Sequence, residues 1–494
     1  MLFQTSRPDR ALWDCWLFPH EDRYHLFYQQ KRAGERDTTA VGHAVSTDLV
    51  RWADVEPAYV KGEGDAWDAG PLRTGTTVRR GDRFYLVNGA AQGGVDKLGV
   101  SVSDDLLHWT KYPGNPVSAP DPRWYEADPA TGPLDNVAWR DPCILPDGDG
   151  YIAYLCARRA TGPVSGRGTV ATLRSPDLLR WEAGPPLDVP ACFVMLEVPD
   201  VFELDGRWFL LHSTTPRFGG RLQTSDPDLV AGTHVLWAER RDGPYTRPPR
   251  DVLIGSRMEL TSAWVCRTVA TPFGRLAYYL NAYPQPFGVG APRGSLGLPK
   301  LVAADDRGLR LRYLPLLDPF RGDPLVPPLA AAPCDPRRER PGVWAIGDGA
   351  AEGRVAIGTD ALALRGEAPD FMLIATVTVL AGRGAGLGFR LDDRGIGLGV
   401  ILDVEAGSVG VVELARVACG VAWRPLAQRQ VPLRPDTPLS LRVIALRDVV
   451  EVLLDDDLLL SVVAEGRAGG GLALVADDAH VRVADLRVWP LRVA

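Results

Sequence analysis

Two carboxylic acids stand in unusually uncharged surroundings in this 494-residue chain, and residues of that kind can do chemistry. Asp14 lies in ALWDCWLF, and no other formal charge occurs between Arg10 and Glu21. Glu197 follows six uncharged residues in ACFVMLEVPDVFEL. Because burying a lone carboxylate is costly unless it is partnered or needed, both acids are candidates for a functional site. A turn position for Asp14 and an Arg partner for Glu197 are the structural alternatives.

A third acid, Asp141, lies in AWRDPCIL between Arg140 and Pro142. An Arg–Asp pair or an Asp-Pro turn explains this position equally well when it is taken alone. Glu197, in its apolar surroundings, is expected to have a raised pKa, as a general acid at neutral pH requires. Together the three acids suit glycoside hydrolysis, in which one carboxylate attacks or activates water and a second carboxyl protonates the leaving oxygen. Asp200 is expected to be a turn or supporting residue.

Short β-rich runs bounded by Gly, Pro and Asp must position these acids, since helical periodicity is nearly absent. A phrase, Ser-x-Asp-Leu-x-x-Trp, recurs at 46–52, 103–109 and 175–181, with a looser echo at 225–229. Its spacing predicts a five-bladed β-propeller over residues 1–320. In each phrase we expect the Asp to bond turn amides and the Leu and Trp to pack between blades. A propeller would bring residues 14, 141 and 197 to one axis.

A Pro-rich stretch from Leu317 to Gly342 cannot sustain a helix or an interior strand, and we place a linker at 321–342. Further strand patterns with Gly and Asp turns follow it. They predict a second all-β domain over 343–494, most economically a β-sandwich. The predicted fold class is therefore all-β, a propeller followed by a sandwich.

The composition bears on partners and location. The formal net charge is −7, the pI is near 5.6, and no basic stripe suited to nucleic acid occurs. Seven cysteines lie scattered without metal-ligand spacing, so neither a zinc site nor a disulfide framework is predicted. There is no signal-peptide pattern and no long apolar run. We expect a cytoplasmic protein, unless a leader was removed, with no membrane partner, metal or cofactor.

The acidic motifs resemble those of glycoside hydrolase families 32 and 68, the invertases, inulinases, levanases and levansucrases. Arg140-Asp141-Pro142 is similar to the family's central Arg-Asp-Pro, and Glu197-Val198-Pro199-Asp200 to its Glu-Cys-Pro-Asp. The resemblance implies that Asp14 is the nucleophile, Asp141 a transition-state stabiliser and Glu197 the acid/base. YHLFYQ at 24–29, TGT at 74–76, SLGLPK at 295–300 and the hairpin at 448–461 extend it along nearly the whole chain.

Two departures from the family pattern affect the substrate. Family 32 usually carries Asn-Asp-Pro-Asn-Gly where this chain has Trp13-Asp14-Cys15-Trp16-Leu17, which is closer to the style of family 68. Val198 replaces the usual Cys beside the acid/base. We expect four further residues to contact the sugar. Gln29 and Arg140 could donate hydrogen bonds to its hydroxyls, Trp67 could provide an apolar wall, and Thr74 is the fourth.

The expected function is that of a retaining glycoside hydrolase that cleaves terminal β-D-fructofuranosides of the sucrose, fructo-oligosaccharide or fructan class. A related propeller glycosidase acting on arabinofuranosides or xylosides uses acids in the same order, so it stays an alternative. A sugar-binding propeller without turnover is a third, non-enzymatic alternative. A carbohydrate is the expected partner in each case.

Overall fold

The computed structural model describes residues 3–493 apart from 5–8, 33–34, 36, 131, 133, 135, 216–217, 219–230, 257–262, 284–293, 326–342, 348, 365, 393, 418–419 and 467–469. The regular structure in the described part of the chain is β-strand, with two 3₁₀ turns at Val164–Gly166 and Asp318–Phe320 and no α-helix. The all-β prediction is confirmed. None of the described residues form a helix that could cross a membrane.

The chain divides into two compact units, Leu2–Leu311 and Arg312–Ala494. The first unit consists of five successive antiparallel meanders. Their strands are β1 Arg10–His20, β2 Arg23–Arg32, β3 Thr38–Ser46, β4 Ala53–Asp54 and β5 Tyr59–Val60; β6 Leu72–Arg80, β7 Arg83–Gln92, β8 Val95–Ser103 and β9 Thr110–Lys111; β10 Trp139–Asp147, β11 Gly150–Arg158, β12 Gly168–Ser175 and β13 Glu182–Ala183; β14 Glu197–Leu204, β15 Arg207–Thr214, β16 Ala231–Ala238 and β17 Val252–Ser256; β18 Ala263–Thr271, β19 Gly274–Ala282, β20 Gly294–Leu296, β21 Lys300–Asp305 and β22 Gly308–Arg312.

The first strands of the meanders lie side by side in a ring. β1 contacts β6, β6 contacts β10, β10 contacts β14, β14 contacts β18, and β18 contacts β1 again. Apolar clusters fill the spaces between neighbouring meanders, as where Trp16 and Phe27 of the first pack with Leu86 of the second. The ring therefore brings residues that are far apart in sequence to one centre.

Each first strand carries a shift in its pairing register with the second strand of its meander. The shifts fall at residues 13–14, 73–74, 141–142, 198–199 and 265–266, and we call them the five bulges. Asp141, Val198 and Val265 have positive φ angles of 59°, 49° and 46°. A bulge bends a strand and re-aims its side chains, and bulges are common next to active sites.

Arg267, directly after the fifth bulge, links three of the first strands. Its side chain donates to the carbonyl of Gly75 in β6 at 2.7 Å and to that of Pro142 in β10 at 3.1 Å. The residue is 3% exposed. Because both acceptors adjoin or lie within bulges, one buried guanidinium helps to hold two bulged backbones in place.

The repeated phrase forms the same turn wherever the structure describes it. In the second copy Asp105 accepts hydrogen bonds from the amides of residues 107 and 108, and Leu106 is buried at a φ of 65°. The indole of Trp109 donates to the Leu106 carbonyl and meets Phe27 of the first meander edge-on. The predicted structural role of the Asp, Leu and Trp is confirmed for this copy. The echo at 225–229 lies outside the described residues.

The second unit is built around two long strands that pair with each other. Its strands are β23 Val343–Gly347, β24 Ala350–Arg354, β25 Thr359–Leu364, β26 Phe371–Leu391, β27 Gly397–Asp403, β28 Ser408–Val417, β29 Gly420–Gln430, β30 Leu439–Leu446, β31 Val449–Leu454, β32 Asp457–Val463 and β33 Gly471–Pro490. One half of β26 pairs with β30, and the other half with β27. The order β25–β33–β26–β27–β28–β29 closes on itself through the pair Thr359 and Val421.

The segment that the sequence predicts to be a linker is only partly described. Arg321 bridges to Leu491, directly after β33, and Leu325 bridges to Val488 within β33. Residues 326–342 lie outside the described part of the chain. The first five residues of the predicted linker are therefore attached to the second unit.

A buried histidine pair makes the first unit sensitive to acid. His25 Nδ1 lies 3.0 Å from His43 Nε2, and burial lowers the pKa of His25 to about 4 and that of His43 to about 3. Below a pH of about 6.5, these two histidines bind protons in the unfolded chain but stay neutral in the folded one. The folded state therefore loses stability as the pH falls through that value. The free energy of unfolding of the wild type should fall between pH 7 and pH 5. We predict that it falls by roughly 1–2 kcal/mol less in His43→Gln, which lacks one of the two histidines. Urea titrations at both pH values measure this, and equal losses would contradict it.

Candidate active site

All five bulges line one cavity of about 250 Å³. Its wall includes Trp13 and Asp14, Arg73, Arg140 and Asp141, Glu197 and Val198, and Trp264 and Val265. The structure thus brings the three predicted acids to one place although up to 183 residues separate Asp14 from Glu197. Regular pairing would alternate side chains between the two faces of each strand, and the bulges interrupt that alternation at the cavity.

Arg140 joins two of the three acids. Its Nη2 donates to Glu197 Oε1 at 2.7 Å, and its Nε lies 3.4 Å from Asp141 Oδ2. Its Nη1 donates to Asp96 Oδ2 at 3.0 Å. The same Asp141 oxygen accepts from the Val198 amide at 3.3 Å, next to Glu197 in the chain. One cation therefore fixes the second acid relative to the third.

Asp14 is held from the other side by a chain of neutral polar groups. Thr74 Oγ1 donates to Asp14 Oδ2 at 3.4 Å, Gln29 Nε2 donates to Thr74 Oγ1 at 3.1 Å, and Thr38 Oγ1 donates to Gln29 Oε1 at 3.2 Å. Asp14 Oδ1 is buried and has no hydrogen-bond partner among the described residues. A buried oxygen without a donor disfavours the ionised form of the carboxylate.

The charges around Asp14 set its ionisation. Burial, together with the negative charges of Asp141 and Glu197, raises the pKa of Asp14 to about 7. Lys31, whose ammonium lies 4.8 Å from the centre of the Trp13 ring, acts in the opposite direction. Lys31 is therefore the cation that favours the ionised form of Asp14.

The other two acids also hold their protons more tightly than in water. Burial raises the pKa of Asp141 and of Glu197, although the nearby charge of Arg140 opposes the rise in both. Like charges confined to one buried site disfavour full ionisation, so the arrangement favours keeping a proton among the three acids near neutral pH. It can therefore supply both an ionised carboxylate and a protonated one.

The four predicted sugar contacts are placed differently. Gln29 and Arg140 line the cavity, and Thr74 lies behind Asp14 as its hydrogen-bond donor. Trp67 is not among the described residues of the cavity wall. Its ring packs into the apolar cluster around Trp16. The ring also lies against Gly99, so closely that a side chain at that position would collide with it.

Several cavity residues were not predicted from the sequence. Lys31, Arg73 and Trp264 line the wall, and Asp96 lies behind it. Lys31 lies two residues after the motif YHLFYQ, so the motif could have indicated it, whereas the other three lack a motif of their own. Asp200 has the supporting role expected of it, because it accepts from the amide and hydroxyl of Thr268 at 2.8 Å and 2.7 Å.

Asp200 is a strand residue, and this differs from the alternative of a turn. Its two bonds tie β14 to β18 directly behind the third acid. Among the described residues no group of three His, Cys, Asp or Glu side chains has the geometry to hold a metal ion.

Comparison with known sequences finds a match to a region that contains two of the three acids. Residues 16–230 match the glycosyl hydrolases family 32 N-terminal domain, a segment that includes Asp141 and Glu197 and begins two residues after Asp14. A β-fructofuranosidase, insoluble isoenzyme 5, of Oryza sativa subsp. japonica is 34% identical over 195 residues, which cover 37% of this chain and 33% of the rice protein. The matched segment thus spans about a third of the length of such curated relatives.

Solved structures share the fold of the chain. The fructan 1-exohydrolase IIa of Cichorium intybus aligns with a TM-score of 0.69 at 15% identity, over 99% of this chain and 96% of that one. A mutant GH32 β-fructofuranosidase of Bombyx mori in complex with sucrose aligns with a TM-score of 0.64 at 18% identity, over 98% and 94% of the two chains. Identities this low show a common fold only.

The sequence match and the shared fold confirm the resemblance that the acidic motifs indicated. Residues 16–230 are thus similar to the N-terminal domain of glycosyl hydrolase family 32.

Proposed function

We propose that this protein is a retaining glycoside hydrolase that cleaves terminal β-D-fructofuranosides such as sucrose, fructo-oligosaccharides or fructans. The observation that carries the proposal is the meeting of Asp14, Asp141 and Glu197 in one cavity, with Arg140 between the second and the third. The rice relative is named a β-fructofuranosidase, and the Bombyx mori structure contains sucrose. Both support the same class of substrate.

In the first step, an oxygen of ionised Asp14 forms a bond to the anomeric carbon of the fructosyl unit. The bond to the leaving oxygen breaks, and Glu197 gives its proton to that oxygen. The position of Asp14 in the cavity wall and the raised pKa of Glu197 suit these roles. The product of this step is a fructosyl ester of Asp14 and a free alcohol.

In the second step, Glu197, now ionised, accepts a proton from water as the water oxygen attacks the same carbon. The ester bond to Asp14 breaks, and two inversions give overall retention. Asp141 and Arg140 are proposed to hydrogen-bond the sugar as positive charge develops on its ring. Gln29 is proposed to bind a hydroxyl while holding Thr74 against Asp14.

The apolar wall of the sugar site is assigned differently from the sequence-based expectation. Trp13 and Trp264 line the cavity and are proposed to flank the sugar. The contact expected from Trp67 stays a prediction, and the position of Trp67 in the packed cluster does not support it. The cytoplasmic location also stays a prediction.

We further propose that residues 1–320 form a five-bladed β-propeller, that 321–342 form a linker and that 343–494 form a β-sandwich. The five meanders with their ring of first strands support the propeller. The two sets of strands that share β26 and β33 around one apolar core support the sandwich.

A substrate screen tests the proposed function. We predict that the purified protein releases fructose from sucrose, inulin or levan, and that the first product seen by NMR is the β-anomer, because two displacements retain configuration. Aryl α-L-arabinofuranosides and β-xylosides serve as comparison substrates. Faster cleavage of either comparison substrate, or an α-anomer as first product, would contradict the proposal. Binding of fructosides without turnover would support the non-enzymatic alternative.

The pKa of Asp14 gives a second prediction. Since the nucleophile must be ionised, kcat/KM for sucrose should rise with pH through about 7. Lys31→Met removes the cation that lowers this pKa, so the rise should move to higher pH. Lys61→Met, which changes a lysine outside the cavity wall, is the matched control and should leave the profile in place. A Lys31→Met profile that is unmoved, or moved to lower pH, would be inconsistent with this assignment.

A further inference from the structure

Asp96 lies behind the cavity wall and holds two arginines that line it. The residue is fully buried, with an exposed fraction of 0%. Its Oδ1 accepts from Arg73 Nε at 2.9 Å, and its Oδ2 accepts from Arg140 Nη1 at 3.0 Å. Asp96 does not line the cavity, so it cannot touch a bound sugar directly.

We propose that Asp96 is a positioning residue of the active site, which orients the Arg140 guanidinium so that it bridges Glu197 and Asp141. This role rests on the proposed functions of those two acids. It makes Asp96 a determinant of the rate although it contacts neither substrate nor reacting atoms.

The geometry of the guanidinium explains how the anchor acts. Its nitrogens lie in one rigid plane, so holding Nη1 on Asp96 restricts the directions in which Nη2 and Nε can point. Nη2 then meets Glu197 at 2.7 Å, and Nε faces Asp141 at 3.4 Å. Without a charged acceptor at Nη1, the plane can rotate and the two contacts cannot both persist.

The backbone at Asp96 is fixed in a way that suits an anchor. Its amide donates to the Val137 carbonyl at 3.0 Å, and the Val137 amide donates to the Gly94 carbonyl at 2.8 Å. Val137 lies three residues before Arg140 in the chain. The carboxylate on β8 and the guanidinium on β10 are therefore held by a second, backbone connection between the two meanders.

Asp96 also balances charge at Glu197. The charged and titratable groups that act on Glu197 come from several strands: Asp14 of β1, Arg73 of β6, Arg140 and Asp141 of β10, and Cys156 of β11. Arg73 and Arg140 share the Asp96 carboxylate. Loss of that negative charge leaves the charge of Arg73 uncompensated near Glu197. This charge favours ionised Glu197 even where Arg140 turns away, so the acid would give up its proton at lower pH.

Asp96→Asn tests the proposal, because Asn keeps the shape but offers one neutral acceptor where two arginines need charged ones. We expect kcat for sucrose to fall roughly 10- to 100-fold, as misplacement of a catalytic group by about 1 Å would cause. We also expect the basic limb of the pH profile to move to lower pH. Asp68→Asn is the matched control, since Asp68 is equally buried and bonded to Tyr59 and Lys111 but lies outside the cavity wall. It should change neither quantity.

A double variant separates orientation from charge. Asp96→Asn with Arg73→Met removes one negative and one positive charge, so the basic limb should return toward that of the wild type. Since Arg140 still lacks its anchor, kcat should stay as low as in Asp96→Asn alone. Recovery of kcat in the double variant would overturn the positioning role, and so would wild-type kcat and pH profile in folded Asp96→Asn.

Two further measurements keep the test decisive. If Asp96→Asn does not fold, Asp96→Glu keeps the charge but lengthens the side chain, so Arg140 should be displaced from Glu197. Glu197 should then keep its proton to higher pH, and an unchanged titration would overturn the proposal. That titration is followed by difference infrared spectroscopy of the protonated carboxyl, assigned with Glu197→Gln, and it needs no turnover. Failure of the wild type to cleave fructosides would therefore refute the proposed function, while the infrared titration still decides the role of Asp96.

Discussion

The contact on which the site depends is the bridge from the Arg140 guanidinium to three carboxylates. Asp96, Asp141 and Glu197 converge on this one side chain, and Asp14 lies in the same cavity. Four acids so close together and away from bulk water would repel one another, and each alone would lose several kcal/mol of hydration. A buried cation with a donor for each of three acids makes their assembly possible. It does not contact Asp14, whose pKa is raised by burial and by the charges of Asp141 and Glu197.

The five bulges convert the regular ring of strands into a site. In a ring of regular strands, alternation would send every second side chain away from the centre. The one-residue shifts at Asp14, Asp141 and Val198, where two residues face one, break that alternation where the acids must face the cavity. Positive φ angles at non-glycine residues cost of order 1–3 kcal/mol each. The bonds of Arg267 to Gly75 and Pro142, and of Asp200 to Thr268, hold the neighbouring backbone and offset that cost.

The sequence was informative where a charged residue lies among apolar neighbours in the chain, and where a short motif recurs. A charge among aromatic and aliphatic residues identified Asp14 and Glu197, and the repeated turn phrase identified the meanders. Both features depend on contacts within a few residues. The bulges could not be predicted, because the pattern of buried and exposed residues around Asp141 is too short to show a shift of register. Asp96 could not be predicted either, since its role depends on hydrogen bonds from Arg73 and Arg140, which lie in other strands. Trp67 shows the converse, a tryptophan expected in the wall that packs into the core instead.

The central claim is that Asp14 forms a covalent bond to the sugar while Glu197 transfers the proton. Trapping that bond tests it most directly. Glu197→Ala lacks the base for the second step, so it should accumulate the ester when given β-D-fructofuranosyl fluoride, whose leaving group needs no proton. After an acid quench and proteolysis, mass spectrometry should find one fructosyl unit on the peptide that contains Asp14. A fructosyl unit on any other residue, or none while fluoride is released in a burst, would contradict the account.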